Sequence, residues 1–404
     1  MAKGGRKIYR TSANYRKKRN RKILKVILII ILLAALVFLG YSVAKPIHNY
    51  IISKTGENVS EDEVWTPPVL EEESIEETEA EETEVTTQPA EEEIKPKTDT
   101  FSAYQLPVEA LASTETLMNA LHTAKEIGYT AVSVPLKAEG GKMYYITSSE
   151  MAMSSENAVV GTMYAGQIAS IIKNEGFISI AYVNLLEDNN RYGENRKGSY
   201  RTTDDSTWLD NAPSKGGKPW LSPFDTDAQA FVQTISNEVA GANFDHIIFD
   251  GLDFPNFRNS DKAYIGEIVQ SETRYKALVN VAEIAAETAA ANNINSILTV
   301  SAADILAGTE EVFKPDELSY TTIAVEYFPA EIANTAVING EETALSELPA
   351  NNKTYVIFSE IQRLAGTDVT IVPVLRQSDF SQADFNETIT AVRSLGCDSY
   401  IILG

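Results

Sequence analysis

Three acidic side chains stand where strand-like runs stop. Asp250 closes "HIIFD" (246–250), Asp304 follows in "TVSAAD", and Glu326 sits in "IAVEYF". Carboxyl groups brought together in this way are the raw material for hydrolysis of a glycosidic bond. That reaction needs one carboxylate as nucleophile or base and one carboxylic acid as proton donor. Mutual repulsion and partial burial raise the pKa of one such group and leave the other low. The residue types fit Asp250 as nucleophile or base, Glu326 as acid, and Asp304 as an assistant that tunes pKa and binds substrate. An Asp250–Glu326 carboxyl separation of about 5–5.5 Å would give retention of configuration, and roughly 6.5–9.5 Å inversion. Any one of the three could equally cap a helix or form a salt bridge, so it is their convergence on one cleft that would favour chemistry.

The elements that must position these acids are legible as a repeating pattern. Strand-like runs fall at 101–106, 130–136, 177–183, 246–250, 296–301, 321–327, 354–358, 369–375 and 399–403. Helical patterns such as "TETLMNALHTAKEIG", "AQAFVQTISNEVAG" and "ETRYKALVNVAEIAAETAAANN" separate many of them. Strand then helix, repeated, predicts an α/β fold with a parallel sheet, either a closed (β/α)8 TIM barrel or a doubly wound sheet. No Gly-rich fingerprint follows an early strand, which favours the barrel over a dinucleotide-binding sheet. Nine candidates compete for eight staves, so one is expected to be an extra hairpin or edge strand. In a barrel the active site forms at the C-terminal ends of the strands, where all three acids would sit. Gly251 is expected to turn the chain sharply after Asp250, and Pro255 to stop further pairing.

The 404 residues carry a formal charge of −23, distributed unevenly. Residues 1–22 form a basic tail with ten Lys and Arg and no acid. Val26–Ala44 is almost wholly apolar, and at about 1.5 Å per residue it covers roughly 28 Å, the depth of a bilayer core. Residues 23–44 therefore read as a single-pass anchor, with the basic N-terminus cytoplasmic and the C-terminal bulk outside the cell membrane. Residues 45–99 form a Glu/Thr/Pro-rich linker that cannot bury enough apolar surface to fold. Residues 100–404 hold the barrel. The acidic excess of this part argues against nucleic acid or other polyanions as partners. A single cysteine, Cys397, permits no intramolecular disulfide, and the three scattered histidines suggest no metal site. No cofactor is expected.

From Phe101 to Gly404 the chain resembles a family of TIM-barrel glycoside hydrolase domains, of uncharacterised substrate, found in membrane-anchored bacterial proteins. "FDHIIFDGLDFP" is similar to that family's fourth-strand "GFDEIQFDYIRFP", with Asp250 on the acidic position. "TAVSVPLKAEGGKMYY" resembles its second-strand "NAVVIDVKDDSGKITY", keeping Lys137, Gly141 and Lys142. "PWLSPFDTDAQAFV" keeps Trp220, Pro223 and Phe224 of a further stretch, and "IVPVLRQSDF" resembles "IRPWLQDF". The resemblance implies a polysaccharide or oligosaccharide substrate cleaved by two carboxylates. Several positions depart from the pattern. The family's arginine is Asp253, its tryptophan is Val374, and its closing "GWMLWN" is "SYIILG". "FDGLDF" also resembles the opening of the chitinase-type D-G-x-D-x-D-x-E motif, but Pro255 and Phe257 replace the last two acids.

Lys137, Asn184, Trp208, Trp220, Asp253, Tyr327 and Arg376 are the candidate substrate contacts. The long insert 184–222 follows the third strand and is expected to overhang the barrel mouth. Its Tyr192, Tyr200, Trp208 and Trp220 are equally readable as sugar platforms or as glue holding the loop down. Arg376 could instead pair with Asp379. The lost aromatics keep a non-catalytic carbohydrate-binding barrel open as an alternative, and a structural surface protein as a third.

Overall fold

The computed structural model describes residues 100–404 except 191–196, 262–264, 267–268, 270 and 310. The basic tail, the Val26–Ala44 run and the acidic linker to residue 99 lie outside the described residues. Among the described residues, no helix is long and apolar enough to cross a membrane.

Eight parallel strands close into a barrel. They are β1 (Ser102–Gln105), β2 (Ala131–Lys137), β3 (Ile178–Asn184), β4 (His246–Asp250), β5 (Asn295–Ser301), β6 (Thr322–Tyr327), β9 (Thr370–Arg376) and β10 (Tyr400–Leu403). β10 pairs with β1 to shut the ring. Helices α1 (Thr114–Ile127), α3 (Ala165–Asn174), α4 (Thr226–Ala240), α5 (Tyr275–Ala291), α7 (Ala350–Ala365) and α8 (Gln382–Ser394) alternate with these strands. Short helices α2 (Glu150–Met153) and α6 (Ala302–Ala307) fill two connections. Local signals mark the helix ends. Ser113 and Thr116 form a capping box at the start of α1, and Gly128 at φ 98° ends it.

Each stave is apolar on both faces because one face packs the barrel interior and the other the helices. Ala103, Ala131, Ile180, Ile248, Ile297, Ala324, Val372 and Ile401 fill the interior as one cluster. Residues of opposite parity, such as Ile247, Phe249 and Val325, join the helix-facing core. This alternation decides which end-of-strand side chains reach the mouth. Ile248 and Asp250 share one parity, as do Ala324 and Glu326.

Two expectations about elements change. Residues 354–358, read as a strand, lie inside α7, so no ninth strand competes for the barrel. Their β-branched and aromatic composition suggested a strand. The spacing of buried Thr354, Ile357, Phe358, Ile361 and Ala365 is helical, and that periodicity prevails. An unanticipated antiparallel hairpin, β7 (Thr335–Ile338) with β8 (Glu341–Ala344), leaves the barrel between β6 and α7. Asn339 and Gly340 make its turn at φ 51° and 84°, an Asn-Gly signal present in the sequence.

Candidate active site

A cavity of about 390 Å3 opens at the C-terminal mouth of the barrel, and Asp250 and Glu326 both line it. They are staves apart by one: β5 lies between β4 and β6 and contributes Thr299 to the wall. Gly251 adopts φ 66°, and a Cβ there would meet the Asn184 amide group within 2.3–2.4 Å. The turn therefore needs glycine both for its backbone and for the close approach of Asn184. Asn184 pairs with Asp250 in register, and its Oδ1 accepts the Glu187 backbone N–H at 3.1 Å. That bond fixes the start of the long insert against the cleft.

The two acids differ in what surrounds them. Asp250 is enclosed by protein, which raises its pKa. The Tyr182 hydroxyl and the Gly251 backbone N–H donate to it and oppose that rise, while Glu139 adds to it. Glu326 is pushed up to about 8, first by burial and then by the charges of Asp250 and Asp253, against a smaller opposing pull from Arg376. At neutral pH Glu326 therefore holds a proton, while the anionic form of Asp250 is the one with hydrogen-bond support. An acid and a base made different by their surroundings is the division that glycosidic hydrolysis requires.

Two further carboxyls on this wall, Glu139 and Glu187, were not singled out from the sequence. They come from the connections after β2 and β3 and hydrogen-bond each other. Burial, then the Glu139 charge and hydrogen bond, raise Glu187 to about 7. Glu139 was within reach of sequence reasoning, since it stands on an acidic position of the resembled "VKDDSG" motif. Nothing local announced that Glu187 would meet it. Asp253 also lines the cavity. It keeps contact with solvent, yet crowding by the cleft, then Asp250 and Asp304, raise it to about 6.

The remaining candidates divide by position. Asn184 and Arg376 line the cleft, and the Arg376 guanidinium lies 4.2 Å from the Phe328 ring centroid while reaching Asp379 at 3.5 Å. Tyr327 points the other way, as strand parity dictates, and packs edge-on against Phe358. Its neighbour Phe328 lines the cleft, as does Tyr182. Lys137 is fully buried, pairs with Asp188 at 3.0 Å, and donates to the Asn184 carbonyl at 2.9 Å, so it braces two loops and does not touch the cavity. Trp208 is 1% exposed and packs with Tyr200 and Phe257, so these two aromatics of the insert serve as glue. Trp220 is half-buried against the same cluster and away from the cleft, with its indole N–H directed at Asp210. Tyr192 lies outside the described residues. Asp304 is not at a strand end but in the first turn of α6, capped by Ser301, and it lines an adjoining cavity instead. Among the described residues, no group of three or more His, Cys, Asp and Glu side chains has the arrangement to hold a metal ion.

Residues 103–319 match the family described as "Putative glycosyl hydrolase domain". The chain belongs to that family. The match covers more than half of the chain, includes Asp250, Asp253 and Asp304, and stops before β6. Among solved structures the barrel is similar to the PgaB (BpsB) glycoside hydrolase domain from Bordetella bronchiseptica. That likeness has 15% identity and a TM-score of 0.52, over 75% of this chain and 94% of the other. It also matches the glycoside hydrolase domain of PelA from Pseudomonas aeruginosa at 10% identity and TM-score 0.36, over 75% and 93% of the two chains. At such identities the likeness concerns the fold. No curated protein sequence matches the chain. The family barrel thus carries a glycosyl hydrolase-like domain in which two strand-end carboxyls face one cleft.

Proposed function

We propose that the protein is a glycoside hydrolase acting on a polysaccharide or oligosaccharide. Asp250 serves as nucleophile or base and Glu326 as the acid that protonates the leaving oxygen. Water is the only co-reactant: the glycosidic C–O bond breaks, the leaving oxygen takes the Glu326 proton, and water supplies the new hydroxyl. The second proton of that water passes to Asp250 as base or, after attack by Asp250, back to Glu326. The observation that carries this reading is the shared cavity of Asp250 and Glu326, with Glu326 holding a proton at neutral pH. Arg376 and Asn184 are positioned to bind substrate hydroxyls. We further propose that residues 23–44 anchor the chain in the cell membrane. In this arrangement residues 45–99 tether the barrel outside, near a surface glycan.

Asp250→Asn should lower glycan turnover roughly a thousandfold or more while leaving the melting temperature nearly unchanged. Reducing-end release measured across a polysaccharide panel, beside a thermal melt, tests this. Full activity in the variant would remove Asp250 from the mechanism. Val374 in the place of the family's tryptophan supports the second reading, a carbohydrate-binding barrel without turnover. Glycan binding with no product from the native protein would favour it.

A further inference from the structure

Beside the cleft lies a second cavity of about 310 Å3, and Asp253 lines both. Its wall comes from the β4–α5 connection, the start of α5, α6 and the α6–β6 connection, including Phe254, Arg274, Tyr275, Asp304 and Glu311. The Arg274 guanidinium lies 5.1 Å from the Phe254 ring centroid and 4.7 Å from that of Tyr275, and donates to the Tyr275 hydroxyl at 2.6 Å. A plane of N–H donors is thereby laid on an aromatic floor. Such a surface suits a sugar ring, which has apolar faces and a hydroxylated edge. Opposite it, the Thr309 hydroxyl fixes the Asp304 carboxylate at 2.9 Å. Both cavities fall in the size range of small-ligand sites, roughly 300–1,000 Å3.

Charge narrows the ligand. Together the two cavities hold seven carboxyl groups and two guanidiniums. Protons retained on Glu326 and Glu187 still leave the wall net negative. Uronates and phosphorylated glycans would be repelled, and a protonated amine would be attracted. The residue that joins the cavities, Asp253, is also the one that reverses the sign of the family's arginine.

We propose that the second cavity is a subsite for the sugar unit next to the one held between Asp250 and Glu326, and that the substrate is a glycan with free amino groups. Asp253, Asp304 and Glu311 would receive the ammonium group, and Arg274 the hydroxyls. The proposal rests on the hydrolase reading only for cleavage, and binding tests it separately.

The test uses the full chain carrying Asp250→Asn, titrated calorimetrically with glucosamine itself, with its β-1,4-linked six-unit oligomer and with the fully N-acetylated six-unit oligomer. The charged hexamer should bind about tenfold tighter than the single sugar and than its acetylated counterpart, and salt should weaken it. Adding Asp304→Asn and Glu311→Gln should remove about tenfold of the hexamer affinity and leave that of the single sugar unaffected. Both positions retain accessible surface, and a thermal melt checks that the fold is kept. Equal binding of the single sugar and the hexamer would overturn the proposal. So would equal binding of charged and acetylated hexamers, absence of binding, or a hexamer affinity untouched by the double substitution. If the length and charge dependence appear but the native chain releases no product from the hexamer, the subsite stands and the hydrolase reading fails.

Discussion

Two charged groups, one buried and one half-buried, occupy neighbouring parts of the barrel mouth and are built on opposite logic. Lys137 and Asp188 form an ion pair of opposite sign with no exposed side-chain surface, and Lys137 also donates to two main-chain carbonyls. Asp250 and Glu326 carry the same sign, and Arg376 only partly offsets the repulsion at Glu326. The first group satisfies its charges and so fixes loops. The second leaves a conflict that a proton settles, which suits proton transfer and costs stability. Gly141 belongs to the first group, since a Cβ there would fall 2.1 Å from an Asp188 oxygen. Gly251 belongs to the second.

The comparison breaks most visibly at Lys137. Lys137→Met leaves the Asp188 carboxylate buried without its cation and should cost about 3–5 kcal/mol in urea unfolding. A loss well under that would mean that Asp188 can be resolvated and that the pair is not structural. Gly251→Ala imposes a strained backbone worth about 1–3 kcal/mol and pushes on Asn184, so turnover should fall along with stability. Native-like activity and stability together would show that the Asn184 contact is dispensable.

Glu326→Gln sharpens the other side, with a sign opposite to that of Lys137→Met. The folded pKa of about 8 lies above the ordinary 4.5, so the folded state binds protons more tightly than the unfolded chain. The resulting penalty is absent below about pH 4.5, grows as pH rises, and is complete above about pH 8. The variant should therefore melt close to the native protein at pH 4 and a few degrees higher at pH 8, while losing turnover. A melting difference independent of pH would deny the raised pKa. The native activity should decline above about pH 8 as Glu326 loses its proton. Asp253→Asn removes one of the charges that raise Glu326, so that alkaline limb should move towards acid. It is the smallest effect, and an unmoved limb would assign it to another group.

Much of this was readable from local sequence. Strands buried on both faces leave short apolar runs, so eight staves stood out, and the carboxyl closing "HIIFD" marked a strand end. Residues 354–358 misled because a buried helix face can be as β-branched as a strand, and only the spacing out to Ala365 separates them. The candidate site was legible where one strand carries the information, as at Asp250 and Glu326. It was not where orientation decides, as with Tyr327 facing the helices and Phe328 the cleft.

The sequence by itself determined the alternation of strand and helix, the strand-end acids and the glycine that turns the chain after Asp250. Each follows from contacts among residues close in the chain. Tertiary structure alone decided that Glu139 meets Glu187, that Trp208 seals a loop, and that Asp304 belongs to a neighbouring hollow. Those outcomes depend on separate connections meeting once the ring closes, and burial and charge coupling exist only after that closure.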